Sequence, residues 1–197
     1  LAVAAAISLG RVMVLLALTG VAVVPEAGPA LAAAVLVFLG AAFAMRWLDR
    51  DETAGDGAEG LRNPLDVVEV MRFAAFLGAV IIIGRLVADQ WGQAGLLPFA
   101  ATAGIGDVDA VALAAGSLVR GGLEAAIAAH AVMVAALVNT IAKGVIAGVT
   151  GGWRYAGLYF AAAAAAALAA AAVWFFATPL IAPMFGGEAS LAPPLPG

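Results

Sequence analysis

Residues 2–24 hold one charged side chain, Arg11, in an otherwise apolar run. Similar runs recur at 29–47, 65–88, 94–119, 122–149 and 155–178. A helix rises about 1.5 Å per residue, so roughly 20 apolar residues cross a hydrocarbon layer about 30 Å thick. The core of a soluble chain of 197 residues cannot hide so many such runs. The chain is 65% hydrophobic and 11% charged, against roughly 25% charged in soluble domains. Backbone groups in lipid must be satisfied internally, which leaves helices as the spanning element for runs of this length. The expected fold is all-α, a polytopic helical membrane protein with about six membrane segments and a broken or re-entrant fourth.

Several function classes drop out. There is no cysteine, hence no disulfide, thiolate nucleophile or zinc–thiolate site. One histidine, His130, cannot build a histidine-based metal cluster within one chain. No basic patch suits nucleic acid. Half of the net charge of −4 lies in one polar connection, "RWLDRDETAGDGAEGLRNP" at 46–64, which reads as a solvated loop. The chain opens on Leu1 inside an apolar run. That suggests a processed product, an excised piece or the later part of a longer protein.

The spans divide as one helical membrane domain, 1–178, and a Pro/Gly-rich tail, 179–197. A turn, "VPEAGP", separates the first two spans, and "NPLD" opens the third. Trp47, Trp91 and Trp153 sit at span ends, where amphipathic rings favour the headgroup layer. With six crossings, Arg46, Arg50, Arg62 and Arg120 share one face and Arg85 and Arg154 the other. The positive-inside rule then puts the large loop and both termini in the cytoplasm. "AAISLGRVMVLLALTG" (5–20) also aligns without gaps to "AAIAAHAVMVAALVNT" (125–140), a candidate internal repeat.

The fourth segment carries the chemistry. "TAGIGD" falls at its midpoint, with Asp107 and Asp109 just beyond. The expected geometry is two half-helices joined by backbone unwound at Gly104 and Gly106, tolerated at that depth only when buried or beside water. A charged residue at a membrane centre costs about 2.5–3.5 kcal/mol on insertion scales. One acid suffices to cap a helix. Two acids beside glycines point to a cation or proton site on Asp107 and Asp109. Carbonyls of 103–106 would add hard oxygen ligands, as magnesium or sodium requires.

Other polar residues group around this site by helical spacing. Asn139 and Thr140 are expected as polar ligands or interhelical hydrogen bonds, and Lys143, one turn on, as a counter-ion for Asp107 or Asp109. Arg11 has the same role and, being permanently charged, suits a fixed pair. His130 reads as a satisfied polar group, and Arg72 with Glu69 as a structural pair. No organic cofactor is expected; the bound species would be a cation such as magnesium.

"GIGD" (104–107) matches the Gly-x-Gly-Asp motif of intramembrane aspartyl proteases, and "GIGDVDAVALAAG" looks like the second catalytic motif of prepilin peptidases. Such enzymes need a second aspartate on another helix. The prepilin pattern expects lysine where this chain has Asp109, and its upstream aspartate before Leu-Pro is missing. Pro29-Ala30-Leu31 matches the presenilin Pro-Ala-Leu motif but precedes the aspartate instead of following it. A broader likeness rests on Asn63-Pro64, Gly95-Leu96, Gly104, Asp107-Val108-Asp109-Ala110, Asn139-Thr140 and Lys143, with Arg11 in the first span. In these pieces the chain resembles the C-terminal membrane domain of unknown function of MgtC/SapB-type bacterial proteins. That pattern usually has alanine where this chain has Gly106. The resemblance implies a bacterial inner-membrane protein, linked by name to magnesium, with a further membrane portion ahead of Leu1.

The function expected is cation translocation or sensing, of magnesium or a monovalent ion and with proton coupling as an option, through a midmembrane aspartate site. The alternatives are a non-transporting regulator whose charge pairs fasten helices, and an intramembrane aspartyl protease. Partners would be the lipid bilayer, an inorganic cation or proton and, in a homo-oligomer, further copies of the chain.

Overall fold

A computed structural model of the chain describes residues 1–48, 67–177, 180 and 184. The acidic loop, with Arg50, Arg62, Asn63-Pro64 and Asp66, lies outside the described residues, as do the Glu69 side chain and most of the tail. All regular structure among the described residues is helical: α1 (Ala2–Thr19), a 3-10 turn (Val21–Val23), α2 (Val24–Leu48), α3 (Val67–Gly106), α4 (Val108–Arg120), α5 (Ala125–Gly151) and α6 (Trp153–Phe176). Five of these, α1, α2, α3, α5 and α6, are long and apolar enough to cross a membrane. The chain is a helical membrane protein.

The first reversal is earlier than expected. "VPEAGP" is not a turn; it forms the opening turns of α2, with Pro29 inside the helix. Pro25 occupies the first turn, where no intrahelical N–H bond is lost, and its fixed φ suits a helix start. The chain reverses instead at Gly20 (φ −149°, ψ 60°), whose N–H donates to the Leu16 carbonyl at 2.8 Å. A Cβ on Gly20 would lie 2.6 Å from Gly116 Cα in α4, so two glycine backbones meet at this corner.

Gly92 divides α3 at φ 53°, a left-handed conformation that favours glycine. The arm after it, 93–106, runs back along the arm before it. Val87 and Trp91 crowd Gly95, the Phe99 ring meets Gly84, and the Phe76 ring meets Gly106. The chain then turns again at Asp107, in extended conformation (φ −160°, ψ 119°). Helix α4 climbs back over the same ground. Ala110 and Ala114 pack on Val80, Leu118 reaches Gly84, and Gly121 lies beside the Arg85 guanidinium.

Residues 93–120 are therefore a re-entrant hairpin that enters and leaves by one face. Neither limb can cross: α4 has 13 residues, about 20 Å against the roughly 30 Å of a hydrocarbon core. The fourth segment is thus re-entrant, one of the two forms expected, which leaves five crossings; two placements that assumed six crossings change. Arg120 lies on the Arg85 face, which we call the hairpin face. Helix α5 starts from that face and α6 returns to it, so Arg154, at the α6 start, joins Arg46 on the opposite face. The described ends of the bundle then lie on opposite faces. Trp47, Trp91 and Trp153 are exposed at helix ends, as interfacial rings should be.

Small residues let the hairpin dock. A Cβ on Gly104 would come 2.7 Å from the Ala135 Cα in α5, and one on Gly116 would come 2.4 Å from Thr19 Oγ1 in α1. In lipid no hydrophobic force separates helix from tail, so such close packing carries association. The core beneath it is built from Val12, Leu16, Leu31, Phe38, Val108 and Val132, all essentially inaccessible. Phe38 stacks on Tyr159 of α6 with ring centroids 6.0 Å apart. A mainly apolar cavity of about 280 Å³ lies between α2, α5 and α6, lined in part by Phe38, Leu137, Ala167 and Trp174.

Candidate ion site at the hairpin tip

The tip is built by a helix start placed at mid-depth. Asp107 caps α4, its Oδ1 accepting from the Asp109 N–H at 2.9 Å. Its own N–H donates to the Ala103 carbonyl at 3.0 Å, so the preceding limb stays helical through Gly106. The break expected at Gly104 and Gly106 is thus at Asp107, one residue further on. Gly104 serves close packing on Ala135, and Gly106 accommodates the Phe76 ring. An extended cap accounts for the position: α4 begins where an aspartate can satisfy its first N–H groups.

Asn139 of α5 ties the first limb in place. Its Nδ2 donates to the Gly104 carbonyl at 3.0 Å, and the side chain is buried. Of the four carbonyls at 103–106 expected as ligands, those of Ala103 and Gly104 each already accept a hydrogen bond.

Asp109 is the buried centre, only 5% exposed. Arg11 of α1 forms an ion pair with its Oδ2. Its Oδ1 is buried without a hydrogen-bond partner. Arg11 itself is open, with 64% of its side chain exposed. Lys143 donates to Ser8 Oγ at 2.8 Å, not to either carboxylate. Ser8 precedes Arg11 by one turn on α1, so the two cations lie one turn apart. Lys143 remains within electrostatic reach of both aspartates. Two carboxylates and two cations balance in charge at the tip.

The structure therefore brings Asp107, Asp109, Arg11, Asn139 and Lys143 together and leaves Thr140 out. Thr140 Oγ1 donates to its own helix at Ala136, and its carbonyl accepts from Tyr159 Oη at 3.2 Å. It lines the apolar cavity on the α6 side. His130 is satisfied as expected: Nδ1 lies 2.6 Å from the Ala126 carbonyl, and the ring edge meets Trp174. Sequence reasoning missed Ser8. Its signal was there, a lone hydroxyl three residues before Arg11 in "SLGR". It also passed over Glu26, buried near the start of α2.

Residues 1–151 match the family model described as Domain of unknown function (DUF4010). Neither the curated proteins nor the solved structures include a match to the chain.

Proposed function

The chain belongs to the DUF4010 family, whose description carries no function, and we propose from the geometry of the hairpin tip that it moves a cation across the membrane by proton exchange at Asp109. The observation behind this is the divided environment of one carboxylate. Oδ2 is held by Arg11, while Oδ1 is buried and unpartnered. A buried carboxylate oxygen without a donor carries a desolvation penalty that neutralising the group lowers. A proton bound there neutralises Asp109 and frees Arg11; when the proton leaves, the carboxylate is neutralised either by the cargo cation, with Arg11 turned aside, or by Arg11 again. Asp107 and Lys143 stay in place through the cycle, one as helix cap and the other on Ser8.

A resident metal fits less well. Magnesium asks for a near-octahedral oxygen shell. Among the described residues no three acidic or histidine side chains converge, and two of the tip carbonyls are already bonded. The metal is accordingly read as cargo, with magnesium, sodium and potassium as the ions to test. Kinship with MgtC/SapB-type proteins would favour magnesium, and with it a bacterial inner-membrane location. Arg46 and Arg154 at the opposite face, with Arg50 and Arg62 in the segment joining α2 to α3, make that face cytoplasmic by the positive-inside rule.

The second reading, a regulator in which the Arg11–Asp109 pair and the Asn139 tether only fasten helices, rests on the same contacts. A protease would need a second aspartate from another helix. Asp107 caps its own helix, with Oδ1 accepting from the Asp109 N–H.

Infrared titration in lipid bilayers tests the exchange. Wild type should show a carboxylic acid band that appears and disappears reversibly with pH and is missing in Asp109→Asn. Identical band patterns in the two proteins would remove Asp109 as the exchanging group.

A further inference from the structure

Helices α5 and α6 pack tightly at one end and stand apart at the other. Near their junction a Cβ on Gly144 would lie 2.6 Å from the Phe160 ring, and one on Gly148 would lie 2.9 Å from the Trp153 ring. Toward the hairpin face the cavity of about 280 Å³ separates them, closed above by the edge contact of His130 with Trp174. Buried Leu9, Leu31, Ala34 and Phe38 form its back wall. Exposed Leu137, Ala171 and Phe175 form its rim, so this fork opens sideways between α5 and α6. On α6 its wall is made of methyl groups, from Ala163, Ala166, Ala167 and Ala170.

Such a space is too apolar for water, which needs about two to four polar partners. Its polar side chains, His130 and Thr140, already bond to their own helix. Apolar cavities of about 150 Å³ stay dry and take up a hydrocarbon guest. A larger one left empty forfeits dispersion contacts along its whole lining. From His130 to Thr140 the fork runs about 15 Å along α5, half of a hydrocarbon core of roughly 30 Å. His130 stands in the second turn of a helix that starts at the hairpin face, so the fork lies within that leaflet and has the length of an acyl chain. The rim beyond His130 is acidic. Glu26 is buried at the start of α2, and its electrostatic neighbours are His130 and Glu124, the N-cap of α5. One imidazole cannot balance two carboxylates. The cations described at this face, Arg85 and Arg120, are engaged on the hairpin side, beside Gly121 and at the Thr19 carbonyl.

We propose that the fork between α5 and α6 is a lipid-binding site, which holds one acyl chain of a phospholipid from the hairpin-face leaflet and its ammonium-bearing headgroup at the Glu124 rim. The site is independent of the exchange reading, since no charged residue of the hairpin tip lines it. It does share a helix with the tip. Ala135 and Asn139 of α5 meet Gly104 of the hairpin, whereas Met133, Val134 and Leu137 line the fork. The bound chain thus backs α5 on the side away from the hairpin.

Native mass spectrometry tests the site, with the full chain released from bilayers that hold phosphatidylethanolamine and phosphatidylglycerol of matched acyl chains in equal amounts. Wild type should retain one phospholipid per chain, with phosphatidylethanolamine in severalfold excess. Ala167→Phe and Ala163→Leu each place a larger side chain in the fork and should lose that lipid. Two variants guard against one that misfolds, and each is first checked for wild-type elution in detergent. Glu124→Gln should keep the lipid and lose the headgroup preference. A wild type that retains no lipid, a lipid kept by either filled variant once it elutes as wild type, or a lipid-free dimer would overturn the acyl-chain site. Equal retention of the two headgroups by wild type, or a preference for phosphatidylglycerol, would overturn the ammonium assignment.

Discussion

Arg11 and Asp109 form an ion pair between α1 and the re-entrant hairpin in which the carboxylate is buried and the guanidinium is open. The asymmetry gives the pair a direction. Removing Arg11 strands a buried charge, whereas removing Asp109 leaves a cation that water can still reach. Asp109→Asn should therefore cost less stability than Arg11→Met. The double variant Arg11→Met/Asp109→Leu should recover most of the loss, with a coupling energy on the order of 2 kcal/mol. Thermal unfolding in detergent measures all three. Additive effects would mean that the pair is not formed.

Close packing makes a second prediction. Gly104→Ala and Gly116→Ala each push a methyl group into a neighbouring helix and should cost about 1–3 kcal/mol. Gly10→Ala, which meets nothing within 4 Å, should be neutral or slightly stabilising. Equal melting temperatures for all three would contradict the docking of the hairpin.

The Asn139 tether separates positioning from stability. Interhelical hydrogen bonds in membranes average about 0.6 kcal/mol, so Asn139→Leu should barely shift unfolding. It should lower ion flux severalfold by releasing the Gly104 carbonyl and loosening the tip. A large stability loss with normal flux per folded molecule would make Asn139 a fastener only.

Five crossings predict a topology that six would not. Reporter fusions after residues 48 and 177 should fall on opposite sides of the membrane. Six crossings would put both on one side.

Long apolar runs made the membrane class readable, because hydropathy over about 20 residues is a direct statement about solvent. The two charges at the tip were equally visible as costly exceptions. Crossing count was not, since residues 94–119 have the length of a full span and nothing local distinguishes a straight path from a folded one. What decides it is the tertiary contact of Phe99 with Gly84 and of Leu118 with the same glycine. The glycines misled for a related reason: Gly104 and Gly106 looked like breakers, yet in a helix a missing Cβ serves close approach just as well. Pro25 misled in the opposite sense, because proline is harmless at a helix start, and Pro29 stands inside α2 without ending it. Thr140 shares a helix with Asn139 but turns to α6, a difference that one residue of rotation makes. The candidate repeat aligns Arg11 with Ala131; α1 and α5 run in opposite directions, and the charged site is not duplicated.

The most direct test of the account is ion-driven proton movement in proteoliposomes, using the full-length protein. Magnesium, sodium and potassium gradients are imposed in turn, and internal pH is followed for wild type and Asp109→Asn. At least one gradient should drive proton movement in wild type, and that movement should be lost in a folded Asp109→Asn protein. Proton movement that persists undiminished in Asp109→Asn, or none in wild type under any gradient, would contradict it.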